Sequence, residues 1–152
     1  YRSSRGLGDV YKRQTKSMLA VWKEWGLDKI LKKAYREGIV MSGVSAGAIC
    51  WFQNGITDSW ASSLKIMPCL NFIKGTCCPH YDEEPERRPA VKKLLLSNKI
   101  KDVFAVDGGA ALHIKDGKIF KSVVFKKEKS SYFVSCEGKK INEKSFKKTT
   151  LI

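Results

Sequence analysis

The sequence predicts an α/β fold in which helices flank a parallel sheet and an antiparallel meander follows at the C-terminal end. Apolar residues recur at helical spacing through residues 16–35. Residues 39–41, and residues 102–106 after the initial Asp102, form short apolar runs that are typical of buried strands. Strands that alternate with helices favour a parallel sheet. Near the C-terminus, the pair Asp116-Gly117 separates two alternating segments, a pattern that predicts a hairpin.

Length and composition favour one globular domain. The chain has 152 residues, of which 43% are hydrophobic and 11% aromatic, so it can bury a core. No apolar run approaches the roughly 18 residues that a membrane-spanning helix needs, and we expect no membrane partner. Five cysteines without a regular spacing favour reduced thiols and a cytoplasmic protein. The net charge of +14 comes from lysines scattered among acidic residues, which predicts a solvated surface and no nucleic-acid partner.

The first elements follow from the apolar pattern. A helical stretch begins at Lys16, is interrupted at Gly26 and stops at Gly38, a residue type that is common just beyond helix ends. Residues 39–41 are then predicted to be a short buried strand. The apolar stripe of the helical stretch is expected to face the core and consists of Met18, Leu19, Trp22, Trp25, Leu27, Ile30, Leu31, Ala34 and Tyr35.

Beyond residue 41 the predicted elements continue to alternate. A helix that contains the apolar residues 48–52 follows the strand, and Asn54-Gly55 is predicted to close it. Residues 55–78 are expected to be loop and short strand. The remaining predicted elements are a helix over residues 85–98 and strands over residues 102–106, 112–114, 119–125 and 132–135.

A serine flanked by glycines stands directly after the first predicted strand, in the segment Gly43-Val44-Ser45-Ala46-Gly47. A G-x-S-x-G segment between a strand and a helix makes a sharp turn that exposes the serine hydroxyl. Ser45 is therefore the candidate nucleophile. The N–H of Ala46, at the start of the next helix, is the candidate oxyanion donor.

The sequence offers two histidines as the base that a serine nucleophile needs. His80 follows Pro79 in a loop after a strand, where functional groups usually lie, whereas His113 belongs to an alternating strand and is expected to be structural or exposed. Asp107, at the end of a strand, is the candidate partner of His80. Because strand ends converge at one edge of a sheet, Ser45 is expected to meet these two side chains there. The chain order of serine, histidine and acid differs from that of α/β-hydrolases.

Other chemistries are less well supported by the residues around His80. The segment Cys77-Cys78-Pro79-His80 resembles part of a zinc site, but no second Cys/His cluster completes four ligands, so we expect no metal and no other cofactor. A cysteine nucleophile would lack the turn that exposes it. Arg87 and Arg88 follow closely, and they either hold a substrate carboxylate bidentately or form the solvated first turn of a helix.

Several segments together resemble peptidase family S51, the group of dipeptidase E, an aspartyl dipeptidase, and cyanophycinase. The resemblance covers the chain from about residue 15 to the C-terminus. The helical stretch before the first strand is also similar to that of the family. The matching segments are Trp22-Lys23-Glu24-Trp25-Gly26-Leu27-Asp28, Gly43-Val44-Ser45-Ala46-Gly47-Ala48, Cys78-Pro79-His80-Tyr81 and Val106-Asp107-Gly108-Gly109-Ala110.

This resemblance implies a fold similar to class I glutamine amidotransferases and a serine peptidase that hydrolyses small peptides, with an N-terminal aspartate as a candidate preference. It makes Ser45 the nucleophile, His80 the base and Asp107 the third member. That third member is often glutamate in the family, and Asp58 matches another acidic position and competes with Asp107. The alternative function is a non-catalytic, amidotransferase-like protein that binds a small ligand or a partner.

The N-terminal end departs from the family pattern. Residues Tyr1 to Gln14 resemble a translated sequencing adapter and are predicted to be an artefact, which leaves residues 15–152 as one S51-like domain. The family carries a Gly-Gly-x-Asn-Thr segment whose glycine N–H completes the oxyanion hole, and Thr15 matches its end. The glycines and the first parallel strands are therefore expected to be missing, and losing one oxyanion donor costs on the order of 10²–10³ in rate.

Overall fold

The computed structural model of this chain describes residues 14–59 and 61–150. These residues divide into two compact units, with the boundary after Phe72. The predicted adapter segment lies outside the described residues except for Gln14, with which the first helix begins. In chain order the elements are α1 (Gln14–Glu24), α2 (Leu27–Arg36), α3 (Ala46–Ile49), β1 (Phe52–Thr57), β2 (Lys65–Pro68), β3 (Ile73–Cys78), α4 (Arg87–Leu96), β4 (Asp102–Val106), β5 (Ala110–Lys115), β6 (Lys118–Val124), β7 (Ser131–Glu137), β8 (Lys140–Ser145) and β9 (Lys148–Thr150).

The core of the first unit joins α1, the end of α3 and β2. Leu19, Cys50 and Met67 are buried together, and Trp22 and Trp51 pack against them. The two indole rings are tilted against each other, with centroids 6.2 Å apart. Strands β1 and β2 pair in antiparallel fashion beside this cluster. The helical pattern of the sequence therefore leads to a real core at α1.

The predicted core-facing stripe is wrong for α2. Leu19 of α1 is 5% exposed, whereas Trp25 and Ile30 are 81% and 63% exposed, and α2 contains no buried residue. Periodic spacing indicates a helix, but burial also requires a surface that covers the stripe. At the far end of α2, Tyr35 stacks on Phe72 with ring centroids 5.3 Å apart.

Residues 39–41 do not form the predicted buried strand. They have no regular secondary structure, and Ile39 and Val40 are 56% and 89% exposed. A buried strand needs neighbouring strands for its backbone N–H and C=O groups. Within residues 14–59 and 61–150, no strand pairs with this segment.

The predicted helix ending at Asn54-Gly55 is also wrong, because α3 ends at Ile49 and both residues lie inside β1. Pairing of β1 with β2 and burial of Phe52 and Ile56 outweigh the tendency of Asn-Gly to end a helix. Gly55 is required for packing, because a β-carbon there would lie 2.8 Å from Cδ1 of Ile49.

The sheet of the second unit is mixed, with strand order β3-β4-β7-β8. Strands β3 and β4 are parallel and are connected through α4, whereas the pairs β4–β7 and β7–β8 are antiparallel. Helix α4 contacts β7 and β8 and buries Val91 and Leu95. The predicted α/β class is therefore observed, but the parallel part of this unit's sheet is one strand pair.

A second, smaller sheet has the order β5-β6-β9. The hairpin predicted around Asp116-Gly117 is confirmed as β5 and β6. Beyond the last predicted strand, the chain adds β8 and β9, which the sequence pattern did not predict. The hydroxyl of Ser122 in β6 donates a hydrogen bond to that of Ser131 in β7 at 3.1 Å, and both side chains are fully buried. Across the described part of the chain, no helix combines the length and the apolar character needed to cross a membrane.

Candidate active site

The backbone turns sharply at Ser45 and is strained there. Ser45 precedes α3 with φ 52° and ψ −113°, a conformation that is rare for a residue with a side chain. Such strain persists only where the surrounding structure enforces it, and it is concentrated at functional positions. The sharp turn predicted from the glycine-flanked serine is therefore present.

Gly43 explains why the turn needs glycine. A β-carbon at this position would lie 2.0 Å from the backbone oxygen of Gly47, a distance that no side chain can occupy. Helix α3 then starts with bonds from the N–H groups of Ala48 and Ile49 to the carbonyl of Ser45, at 3.0 and 3.1 Å. Ala46 is its first residue, and the first N–H groups of a helix have no acceptor within the helix.

His80 lies in a loop that directly follows β3; we call residues 79–84 the histidine loop. The φ of His80 is 53°, which is again left-handed, so the backbone turns sharply at the histidine itself. The imidazole Nδ1 is 2.6 Å from Oε2 of Glu83, and the two side chains are 30% and 51% exposed. A charge-assisted bond of this length fixes the orientation of the ring.

The histidine loop is fixed to the segment that follows β4. The N–H of Tyr81 donates to the carbonyl of Val106 at 3.0 Å, and the N–H of Gly108 donates to Oδ1 of Asp82 at 2.7 Å. The other oxygen of Asp82 accepts from the Lys129 ammonium group. Backbone and side-chain bonds together hold His80 against this segment.

Asp107, the candidate partner of His80, has other partners. Its Oδ2 accepts from the N–H of Ser130 at 3.0 Å and from the hydroxyl of Tyr132 at 3.3 Å. Its Oδ1 is buried and, among the residues that the structure describes, has no hydrogen-bond partner. Desolvation raises the pKa of the Asp107 carboxyl, and the Ser130 N–H opposes this shift. The carboxylate at Nδ1 of the imidazole is that of Glu83.

The other candidate residues occupy distinct environments. Asp58 follows β1 directly in the first unit and is half-buried. Arg87 is 5% exposed, and its Nε donates to Glu84 at 2.9 Å. Arg88 donates to Oε1 of Glu143 at 2.6 Å.

Arg88 also lies over the ring of Tyr81, with its Cζ 4.2 Å from the ring centroid. The Tyr81 hydroxyl donates to the same carboxylate, Glu143, at 2.8 Å, and burial is the main reason that the pKa of Tyr81 is raised. Arg88, Tyr81 and Glu143 thus form one cluster beside His80. His113 is exposed, as expected, with its ring edge against Phe120.

Two buried cysteines, Cys50 and Cys78, are poor nucleophiles. Cys78 is fully buried, and burial raises the pKa of its thiol to about 11. Burial likewise raises the pKa of Cys50 to about 12. The thiolate is the reactive form, so these residues are inert near neutral pH.

Sequence reasoning missed Glu83. It belongs to the acidic run Asp82-Glu83-Glu84, which is typical of an exposed helix start. The only sequence indication that Glu83 could reach His80 is their spacing of three residues. This spacing is informative only because the backbone of the histidine loop turns at His80.

Comparisons with known proteins identify the family of this chain. A family model described as peptidase family S51 matches residues 14–122. The chain is 43% identical over 129 residues to a Bacillus subtilis (strain 168) protein named "Uncharacterized peptidase YgaJ". The match covers 85% of this chain and 56% of that protein, so the chain spans about half the length of this curated relative.

Proposed function

Because the chain belongs to peptidase family S51, we propose that it provides the catalytic residues of a serine-type peptidase that hydrolyses small peptides. The observation that carries this proposal is the left-handed backbone of Ser45 between Gly43 and Gly47, directly before a helix. A serine held in this way exposes its hydroxyl, and the glycines leave room for a substrate carbonyl.

The proposed chemistry is acyl transfer. Ser45 Oγ attacks the peptide carbonyl carbon while His80 accepts the hydroxyl proton. The N–H of Ala46 donates to the oxyanion that forms. His80 then gives the proton to the leaving amine, the C–N bond breaks, and water releases the acyl group by the same steps. No cofactor enters this scheme.

The family resemblance supplies Asp107 as the acidic member and Asp58 as the alternative. Asp107 follows β4, and the parallel neighbour β3 ends just before His80, with Cys78 opposite Ala105. The β3–α4–β4 unit also supports the proposal of a fold like that of class I glutamine amidotransferases. A cytoplasmic location remains part of the proposal, on the cysteine usage of the sequence.

The proposed substrate preference is for peptides with an acidic residue. Arg87 is buried against Glu84 and therefore supports structure. Arg88 is partly exposed beside the histidine loop, so it is the candidate for a substrate carboxylate.

The proposal is tested in the full-length protein with a fluorophosphonate probe and dipeptide hydrolysis. Ser45→Ala should abolish labelling and lower kcat on the order of 10³-fold or more, and His80→Ala should do the same. The double variant should lose little more than either single variant, since the residues act as a unit. Ser63→Ala, at an exposed serine, is the control. Full turnover by Ser45→Ala overturns the mechanism, and a folded wild type without labelling or turnover indicates the binding protein instead.

A further inference from the structure

We propose that Glu83 is the positioning residue of this site: its carboxylate holds the His80 imidazole through Nδ1, a role that the family resemblance gives to Asp107. The inference rests on the proposed function of His80 as the base. Its direct observation is the 2.6 Å contact between Nδ1 of His80 and Oε2 of Glu83.

This contact determines which imidazole nitrogen can act as a base. A neutral imidazole carries one N–H and one acceptor nitrogen, and the partner of one nitrogen sets the state of the other. A carboxylate at Nδ1 keeps the proton there, so Nε2 is left as the acceptor for a hydroxyl proton. The same carboxylate stabilises the imidazolium that forms after proton transfer.

The position of Glu83 is accommodated by a second residue, Gly108. A β-carbon on Gly108 would lie 2.1 Å from both Cδ and Oε1 of Glu83, so the carboxylate occupies the volume that a side chain at residue 108 would fill. Gly108 has no left-handed backbone that would explain a glycine there. The close approach of the Glu83 carboxylate is therefore the reason for glycine at this position.

Asp82 keeps the Glu83 carboxylate close to Gly108. Its carboxylate accepts from the Gly108 N–H at 2.7 Å and from the Lys129 ammonium group, which joins the histidine loop to the segment after β4. Asp107 points to different groups, with Oδ2 bonded to Ser130 and Tyr132. Asp82 and Asp107 are thus bonded to other groups, and Glu83 is the residue whose carboxylate contacts the imidazole.

The expected effect is moderate because the pair is partly solvated. With side chains 30% and 51% exposed, water can replace part of the interaction. We expect Glu83→Ala to lower kcat by about 10- to 100-fold with little change in KM, since the group acts on proton transfer and not on substrate binding. Glu86→Gln, which removes a charge from an exposed glutamate three residues further on, is the matched control and should keep wild-type kinetics.

A spectroscopic measurement tests the contact independently of activity. The histidines of this chain are His80 and His113, and their nitrogen resonances are assigned from His80→Ala and His113→Ala variants. In the neutral wild-type protein, ¹⁵N chemical shifts should place the His80 proton on Nδ1. Glu83→Ala should move it mainly to Nε2, while the exposed His113 stays unchanged as an internal reference.

Gly108→Ala tests the same inference without removing the charge. The new methyl group must displace the flexible end of Glu83, so this variant should reproduce most of the kcat loss of Glu83→Ala. In a Glu83→Ala background there is no carboxylate to displace, and the Gly108→Ala effect should disappear. A cycle of these variants therefore measures the coupling directly.

The outcomes separate this inference from the proposed function. If Ser45→Ala and His80→Ala are inactive while Glu83→Ala has wild-type kcat and tautomer, the role of Glu83 is wrong and the peptidase remains. If the tautomer changes in Glu83→Ala but Ser45→Ala keeps full turnover, the contact is real and the serine mechanism fails. Equal loss in Gly108→Ala with and without Glu83 also overturns the inference.

Discussion

Gly43 and Gly47 approach each other across the Ser45 turn so closely that a β-carbon on Gly43 would overlap the carbonyl oxygen of Gly47, at 2.0 Å. Both partners are backbone, so no rotamer change can relieve the overlap. A β-carbon on Gly47, in contrast, would have nothing within 4 Å. The two glycines of one motif are therefore not equivalent.

Gly43→Ala should lower the free energy of unfolding by about 1–3 kcal/mol, because the backbone around Ser45 must shift. Gly47→Ala should be neutral or stabilising by about 0.4–1 kcal/mol, because its position in α3 accepts a methyl group. Denaturant unfolding of the full-length protein compares the two variants. Equal destabilisation by both would show that the close approach does not constrain the turn.

Two neighbouring carboxylates should give opposite pH dependences of stability. Burial raises the pKa of Asp107, so the folded protein favours its protonated form. Desolvation acts the same way on Asp82, but hydrogen bonds from Lys129 and the Gly108 N–H outweigh it and lower the pKa of that carboxyl. Protonated Asp107 therefore stabilises the fold below the ordinary aspartate pKa of about 3.9. This stabilisation is lost as the pH rises through the pKa of Asp107 in the folded protein. Ionised Asp82 stabilises the fold above about pH 3.9, and this stabilisation is lost as the pH falls through the lowered pKa of Asp82.

These opposite pH dependences are tested by measuring the thermal unfolding of Asp107→Asn and Asp82→Asn from about pH 3 to pH 6. In Asp107→Asn the amide oxygen can still accept the bonds from Ser130 and Tyr132, so the comparison isolates ionisation. Relative to wild type, the Tm of Asp107→Asn should rise with pH and that of Asp82→Asn should fall. Slopes of the same sign would contradict the assigned environments.

Arg87→Ala and Arg88→Ala should separate structure from specificity. Loss of Arg87 removes a buried bond to Glu84 and should lower stability by about 1–3 kcal/mol without changing the ratio of Asp-Leu to Ala-Leu hydrolysis. Loss of Arg88 should lower that ratio by about ten- to a hundredfold if its guanidinium holds the substrate carboxylate. Lys92→Ala, at an exposed cation of the same helix, is the control. Equal wild-type rates on both peptides exclude acidic specificity, and an unchanged ratio in Arg88→Ala leaves Arg88 a structural residue.

Local patterns predict the second unit well. Strand Asp102–Val106 has the predicted bounds, and the Asp116-Gly117 hairpin is confirmed, because alternation and turn chemistry are contained in a few neighbouring residues. Local patterns predict less well where a strand or a buried face depends on a partner surface elsewhere in the fold. Residues 39–41 have a strand-like composition, but composition does not supply a neighbouring strand.

In the candidate site, too, local features are predicted from the sequence and long-range contacts are not. The left-handed turn at Ser45 follows from the glycine-flanked serine, since the spacing itself demands a sharp bend. The contact of His80 with Glu83 depends on Gly108, which comes from a distant part of the sequence. No local pattern distinguishes Glu83 from Glu84 beside it, so only the folded arrangement identifies the residue.

The buried hydroxyl pair of Ser122 and Ser131 couples the evolution of two strands. Each hydroxyl is the hydrogen-bond partner of the other, and both are fully buried. Replacing one serine leaves the other unsatisfied at a cost of about 1–3 kcal/mol, whereas replacing both by apolar residues of similar shape is nearly neutral. Diverging lineages should therefore carry both hydroxyls or neither, and these two positions should change in tandem.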